Sequence, residues 1–112
     1  MRIYVPATIE LLARWHAADA VPSTEDGFVA PDDSEEGEYA ALMAAAEASA
    51  GLLAGPGRRV VVVVETDPGA GDGPVPLSDA VAVHADLEDR PAGADPEEDL
   101  GWFATQEIPD LL

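Results

Sequence analysis

The chain has 112 residues, enough for one domain, and its apolar fraction of 47% is that of a globular protein with one modest core. It carries 23 acidic residues against five arginines and no lysine, and the net charge of −18 disfavours direct binding to nucleic acids or anionic membranes. Cysteine is absent, which excludes disulfides and thiolate chemistry, and because neither a signal-peptide pattern nor an apolar run of about 20 residues occurs, we expect a cytoplasmic protein.

The N-terminal part of the chain predicts a strand followed by a helix. Residues 2–6 alternate in the way that is typical of a strand. Thr8 is a suitable N-cap for a helix over about residues 9–19, in which apolar side chains recur at helical spacing. On this helix we expect Trp15 to lie in the core and His16 to lie on the surface.

A short strand at residues 27–30 precedes the longest predicted helix, over about residues 34–53. Asp33 and Glu36 are spaced like a capping box at the start of this helix. One apolar face is expected to pack on the sheet, and it consists of Tyr39, Leu42, Met43, Ala46, Ala50 and Leu53.

The second half of the chain begins with its clearest element. Five consecutive valines at 60–64 are poor in a helix and predict a central strand that is covered on both sides. After a Gly- and Pro-rich loop at 67–76, residues 81–87 alternate like a half-buried strand. Residues 88–99 are acidic with two prolines, which predicts a mobile acidic loop, and residues 101–108 predict a last strand.

Helices that alternate with strands predict a single α/β domain of the α+β kind over residues 1–112. Its expected architecture is a mixed sheet of four to five strands with two main helices packed on it. The right-handed crossover rule predicts that the first strand and the valine strand are parallel neighbours.

Several short stretches along the chain are similar to motifs of one protein family. The sequence opens with MRIYVPAT and continues with EYAAL at 38–42, RRVVV at 58–62, VHAD at 83–86 and WFATQE at 102–107. In this order they resemble an uncharacterised actinomycete family, a domain of unknown function whose members begin MRVYLPAT, carry an EYAAL helix and RRVVV and VHVD strands, and end near WYATQE. Its members usually have a helical segment where this chain has only residues 88–99. The resemblance supports the domain boundaries and implies no activity, cofactor or catalytic residue.

His84 and Asp86 are the most specific candidates for a ligand or metal site. Two residues apart on a strand, they point to the same side, as a facial metal site or a base with its orienting carboxylate requires. A third ligand would have to come from Glu107 or His16. The alternative is a polar strand face towards solvent.

Aromatic and polar side chains alternate near the C-terminus. A strand over 101–108 would place Trp102 and Gln106 on one face, with Phe103 and Glu107 on the other. Aromatic residues beside polar groups suit a partner surface. They equally suit a terminal strand that is anchored to the core.

Two other motifs are explained by local structure. Residues 32–37 partly resemble a calcium loop, but the twelfth position is Met43 where that loop needs a bidentate carboxylate. The glycine-rich segments at 55–59 and 67–73 lack the GK[ST] of a phosphate loop, so turn chemistry is the better account.

No motif identifies an enzyme, so the leading hypothesis is a non-enzymatic accessory or protein-interaction domain that needs no cofactor. Its acidic surface would favour a basic protein partner, and the protein would be a monomer or a small homo-oligomer. One alternative is a small metal-binding protein or enzyme that uses His84 and Asp86. The other is a nucleic-acid mimic whose carboxylates occupy the basic groove of a partner.

Overall fold

The computed structural model describes residues 1–67, 71, 73–91, 94–95 and 98–112. In chain order the elements are β1 (Arg2–Ala7), α1 (Ile9–Ala18), β2 (Phe28–Val29), α2 (Glu35–Gly51), β3 (Val60–Glu65), a 3₁₀ helix (Leu77–Asp79), β4 (Ala82–Ala85), β5 (Gly101–Phe103), a second 3₁₀ helix (Thr105–Glu107) and α3 (Ile108–Leu111). The strands form one sheet in the order β2-β1-β3-β4-β5, which confirms the predicted α+β class with up to five strands.

The orientation of the strands differs from the prediction. β1 and β3 are neighbours, but the predicted parallel pairing and mixed sheet are wrong, because the pairings between the five strands are all antiparallel. The reason is β2, which returns along the outer edge of β1 before α2 begins. The crossover through α2 therefore joins β2 to β3, and these two strands run parallel to each other with β1 between them.

The valine strand β3 lies at the centre of the sheet, as the sequence predicts. Its valines are buried and alternate between the two faces of the sheet. Val60, Val62 and Val64 join the larger core cluster, on the face that also receives side chains of α1 and α3. Val61 and Val63 join a smaller cluster beneath α2. We call these two sides of the sheet the α1 face and the α2 face.

Helix α1 confirms its sequence prediction. The Thr8 Oγ1 atom accepts a hydrogen bond of 3.1 Å from the Leu11 backbone N–H and so caps the first turn. Leu12 is buried in the α1-face core, Trp15 packs against that core while partly buried, and His16 is exposed. The exposed position leaves the His16 imidazole at the surface near the end of the helix.

The face through which helix α2 packs overlaps the predicted one only in Leu42 and Ala46. Tyr39 belongs to the predicted apolar face but is 50% exposed. The buried positions recur every four residues and are small: Gly37, Ala41, Ala45 and Ser49, together with Ala46 from the predicted set. Small side chains let the helix axis approach the sheet closely, so larger ones lie at the flanks.

The start of α2 also differs in its capping residue. Ser34 takes the N-cap position that the sequence assigns to Asp33, and the Ser34 Oγ atom accepts a 3.0 Å hydrogen bond from the Gly37 backbone N–H. The Asp32 carboxylate accepts hydrogen bonds from the Ser34 backbone N–H at 2.9 Å and from the Ser34 hydroxyl. These hydrogen bonds lower the pKa of Asp32. The cluster that resembles part of a calcium loop thus fixes the first turn of a helix.

The predicted last strand over 101–108 is wrong beyond Phe103. The Glu107 carboxylate accepts a 2.9 Å hydrogen bond from the Ala104 backbone N–H, which closes the chain into a 3₁₀ helix. In α3, Ile108 and Leu111 then reach the α1-face core at helical spacing. Because the strand stops early, the predicted alternation does not place Trp102 and Gln106 on one face.

The acidic loop predicted at 88–99 includes residues 92, 93, 96 and 97, which lie outside the described residues, as do residues 68–70 and 72 of the earlier loop. Arg90 exchanges two backbone hydrogen bonds of 2.9 and 3.0 Å with Gly57. Within the described ranges, none of the helices combines the length and the hydrophobicity that crossing a bilayer requires.

Candidate functional site

His84 and Trp102 lie side by side on the α2 face. Their Cα atoms are paired between β4 and β5, and Val61 of β3 stands on the other side of His84 in the same row. Directly opposed residues of antiparallel strands project from the same face. Helix α2 packs against β2, β1 and β3, so this end of the face extends beyond it. His84 is half-buried there, whereas the Trp102 side chain is 61% exposed.

Tyr39 lies on α2, and it is joined to Asp99, three residues before Trp102 in the chain. The Tyr39 hydroxyl donates a 3.2 Å hydrogen bond to a carboxylate oxygen of Asp99, which joins the helix to the segment that leads into β5. The next residue, Leu100, packs against the α2-face cluster. We call Tyr39, His84, Asp99 and Trp102 the aromatic face. It combines three aromatic rings with a carboxylate.

Asp86 stands two residues beyond His84, but its carboxylate is buried rather than open to a ligand. Its side chain is 6% exposed, and its two oxygens accept hydrogen bonds of 3.0 Å from Nε and 2.8 Å from Nη2 of Arg59. The Arg59 backbone N–H adds a third hydrogen bond, of 2.8 Å, to the same carboxylate. The guanidinium also donates to the Glu98 carbonyl at 2.7 Å. Asp86 is therefore one half of a buried ion pair that ties β3, β4 and the acidic loop together.

The other nominated ligands are dispersed. Glu107 caps the 3₁₀ helix through Ala104, and His16 stands at the end of α1. In the described part of the chain, no three His, Asp or Glu side chains are grouped so that they could hold a metal ion. Of the sequence-predicted site residues, the structure brings His84 and Trp102 together, and Gln106 lines a separate cavity beside His16.

Arg59 is the main residue that sequence reasoning missed at this site. Its position next to the valine strand was the available signal, because a charged residue beside a fully buried strand must find an opposite charge. In the sequence, Arg59 belongs to the predicted turn at 55–59 and to the RRVVV motif, and neither indicates a buried ion pair. The tertiary structure alone shows which carboxylate it meets.

The surface potential is dominated by acids, because each of the five arginines contacts a carboxylate. The ion pairs are Arg2 with Glu65 and Glu38, Arg14 with Glu10, Arg58 with Asp89, Arg59 with Asp86, and Arg90 with Asp86 and Glu98. The net charge of −18 is therefore carried by carboxylates in excess of these pairs. Such a surface attracts cations and basic proteins.

The buried position of His84 predicts a pH-dependent stability. Burial lowers the pKa of His84 from its ordinary value of 6.5, so the unfolded chain takes up this proton more readily than the folded protein does. The contribution of neutral His84 to the stability of the fold is therefore complete above about pH 6.5. It is lost as the pH falls from there through the pKa that His84 has in the folded protein. Chemical denaturation measures the free energy of unfolding at about pH 7.5 and at about pH 5.5. Between these two pH values this free energy should fall less for His84→Gln than for the wild type, because glutamine does not titrate. An equal loss in both proteins would contradict the prediction.

Comparisons with known proteins place the chain without assigning it an activity. No curated protein and no solved structure matches it. A family model described as a family of unknown function, DUF6912, matches residues 1–112. The match spans the strands, the helices and the aromatic face, and it agrees with the resemblance to an uncharacterised domain of unknown function. The chain belongs to the DUF6912 family of unknown function.

Proposed function

We propose that the protein is a cytoplasmic, non-enzymatic interaction module that binds a basic protein segment through its aromatic face. The observation that carries this proposal is Trp102, a tryptophan that is 61% exposed at the β5 end of the α2 face. Tryptophan is among the residues that contribute most to protein–protein binding, because its large rigid ring buries much area at little entropic cost.

The chemistry of the aromatic face favours a cationic partner. Trp102 is largely exposed, and a guanidinium or ammonium group placed over its ring is attracted by the ring quadrupole. Asp99 lies at the edge of the same surface through its bond to Tyr39 and can accept a charge-assisted hydrogen bond. The half-buried His84 is kept neutral at neutral pH by its lowered pKa, so it adds no repelling positive charge.

The long-range field supports the same partner class. A net charge of −18 steers basic proteins towards the molecule and repels acidic ones. β5 stands at the end of the sheet order, and among the described residues no strand pairs with its outer edge, which is where an extended segment would add as a further strand. Every second side chain of such a segment would project from the same face of the sheet as Trp102.

The alternative of a metal site on His84 and Asp86 has less support from this geometry. The two Asp86 oxygens are already bound by Arg59 in the interior, so metal ligation would require breaking a buried ion pair.

The test uses a short peptide in which arginine alternates with valine, and a matched peptide with glutamate in place of arginine. We expect the basic peptide to bind, with Trp102→Ala lowering its affinity roughly tenfold, as loss of a central aromatic anchor does. Leu52→Ala is the matched control, because Leu52 is a similarly exposed apolar side chain (53%) at the end of α2. Isothermal titration calorimetry measures the affinities.

Each outcome of this titration bears on the proposal. Loss of affinity in Trp102→Ala but not in Leu52→Ala supports the aromatic face as the binding surface. Equal affinity in wild type and Trp102→Ala would mean that the peptide is held only by the overall negative charge, and it would overturn the proposal. So would equal binding of the acidic peptide.

A further inference from the structure

A second surface feature lies on the other side of the molecule from the aromatic face. It is a cavity of about 540 Å³ between the end of α1, the 3₁₀ helix at 77–79 and the C-terminal segment. Its floor includes Leu77 and Ile108, which are almost fully buried and belong to the α1-face core. A volume of this size is within the usual range of small-molecule sites.

A fixed carboxylate stands at the rim of this cavity. Asp19 caps α1 with φ 48° and ψ 44°, and it is the only non-glycine residue with positive φ in the described part of the chain. Its two oxygens accept hydrogen bonds of 2.9 Å from the Ser78 backbone N–H and 3.2 Å from the Ser78 hydroxyl. Each carboxylate oxygen can accept a further hydrogen bond. Asp19 is thus held in place and still has capacity for a ligand.

Two further polar side chains at the rim, those of Gln106 and His16, have no partner among the side-chain hydrogen bonds of the described residues. Both side chains line the cavity and are exposed, so they can turn towards a ligand. Thr105 is different, because its hydroxyl donates to the Ala80 carbonyl at 2.6 Å and holds the C-terminal segment against the core. The cavity therefore combines an apolar floor with a few convergent polar groups, which is the usual composition of a ligand site.

We propose that this cavity binds a small organic amine with an apolar body. The fixed Asp19 carboxylate and the overall charge of −18 exclude anions and favour a cationic head group. The apolar part of the ligand would rest on Leu77, Ile108 and Pro109. The Gln106 amide would orient the ligand through its carbonyl or its NH₂ group. This site is independent of the proposed protein-interaction surface, since the two lie on opposite faces of the sheet.

The experiment compares three probes with one apolar body and different head groups: 2-phenylethylamine, 2-phenylethanol and 3-phenylpropanoate. Two-dimensional NMR follows the amide signals of Ser78, Gln106 and Ile108 during each titration. We expect the amine to bind at least about tenfold more tightly than the alcohol, and the carboxylate not to bind. Asp19→Asn removes the charge while asparagine tolerates the left-handed backbone, so this variant should bind amine and alcohol equally.

Two further variants complete the design. Asp33→Asn removes one negative charge from a different surface and should keep the preference for the amine. Gln106→Ala changes an exposed side chain and should weaken binding of the amine and the alcohol alike. The proposal is overturned if the carboxylate or the alcohol binds the wild type as tightly as the amine, or if none of the three signals moves. It is equally overturned if Asp19→Asn retains the full preference for the amine.

Discussion

Arg59→Leu is expected to lower the free energy of unfolding by about 3–5 kcal/mol, because it removes both guanidinium hydrogen bonds from the buried Asp86 carboxylate and leaves Arg90, at 4.0 Å, as its nearest charge partner. Arg59 is 1% exposed, and the fork of its guanidinium meets both Asp86 oxygens at 3.0 and 2.8 Å. The change also removes the donor to the Glu98 carbonyl. Urea denaturation followed by circular dichroism measures the loss as a lower midpoint at an unchanged slope.

Two variants show whether the loss arises from the uncompensated charge. Arg59→Leu combined with Asp86→Leu replaces both charges by apolar side chains and should recover much of the stability. Arg14→Leu breaks an exposed pair with Glu10 and should cost no more than about 0.5 kcal/mol. If Arg59→Leu costs as little as Arg14→Leu, the ion pair does not stabilise the interior as described here.

Ser49→Ala is expected to cost about 2–4 kcal/mol, although it removes a single oxygen atom. Ser49 is fully buried on α2, where its hydroxyl donates a 2.6 Å hydrogen bond to the Ala7 carbonyl and accepts one of 2.9 Å from the Val60 N–H. These backbone groups lie where β1 and β3 meet, at the paired residues Ala7 and Val60. Alanine would leave both groups buried without this partner.

Thermal and chemical denaturation of Ser49→Ala can be compared with Ser78→Ala. Ser78 is exposed and its hydroxyl bonds to the exposed Asp19, so its loss should change stability by less than about 0.5 kcal/mol. Similar stabilities for the two variants would show that the buried serine is not needed to join α2 to the sheet.

The position of β3 and the start of α1 were predictable from short stretches of sequence. The valine run predicts β3 because β-branched side chains are restricted in a helix, and Thr8 marks the start of α1 because its oxygen can satisfy a free backbone N–H. Errors arose where a pattern was extended too far. The C-terminal alternation continues past Phe103 in the sequence, but the hydrogen bond from Ala104 to Glu107 bends the chain into a helical turn.

The candidate sites were predictable only in part. Trp102 and His84 were identified from the sequence, but that they are cross-strand neighbours depends on the register of β4 and β5. The spacing of His84 and Asp86 predicts side chains on one side of the strand, but it does not show that the Asp86 carboxylate is bound in the interior by Arg59. Nothing in the sequence relates His16 to Gln106, which line one cavity from opposite ends of the chain.

The sequence by itself determined the acidic charge, the absence of cysteine, the central valine strand and the main helices, since each depends on composition or on neighbours within a few residues. Tertiary structure decided the antiparallel direction of the strands, the packing of α2 through its smallest side chains and the partners of the buried charges. These depend on residues far apart in the chain, whose contacts are selected by close packing and by the cost of burying an unpaired charge.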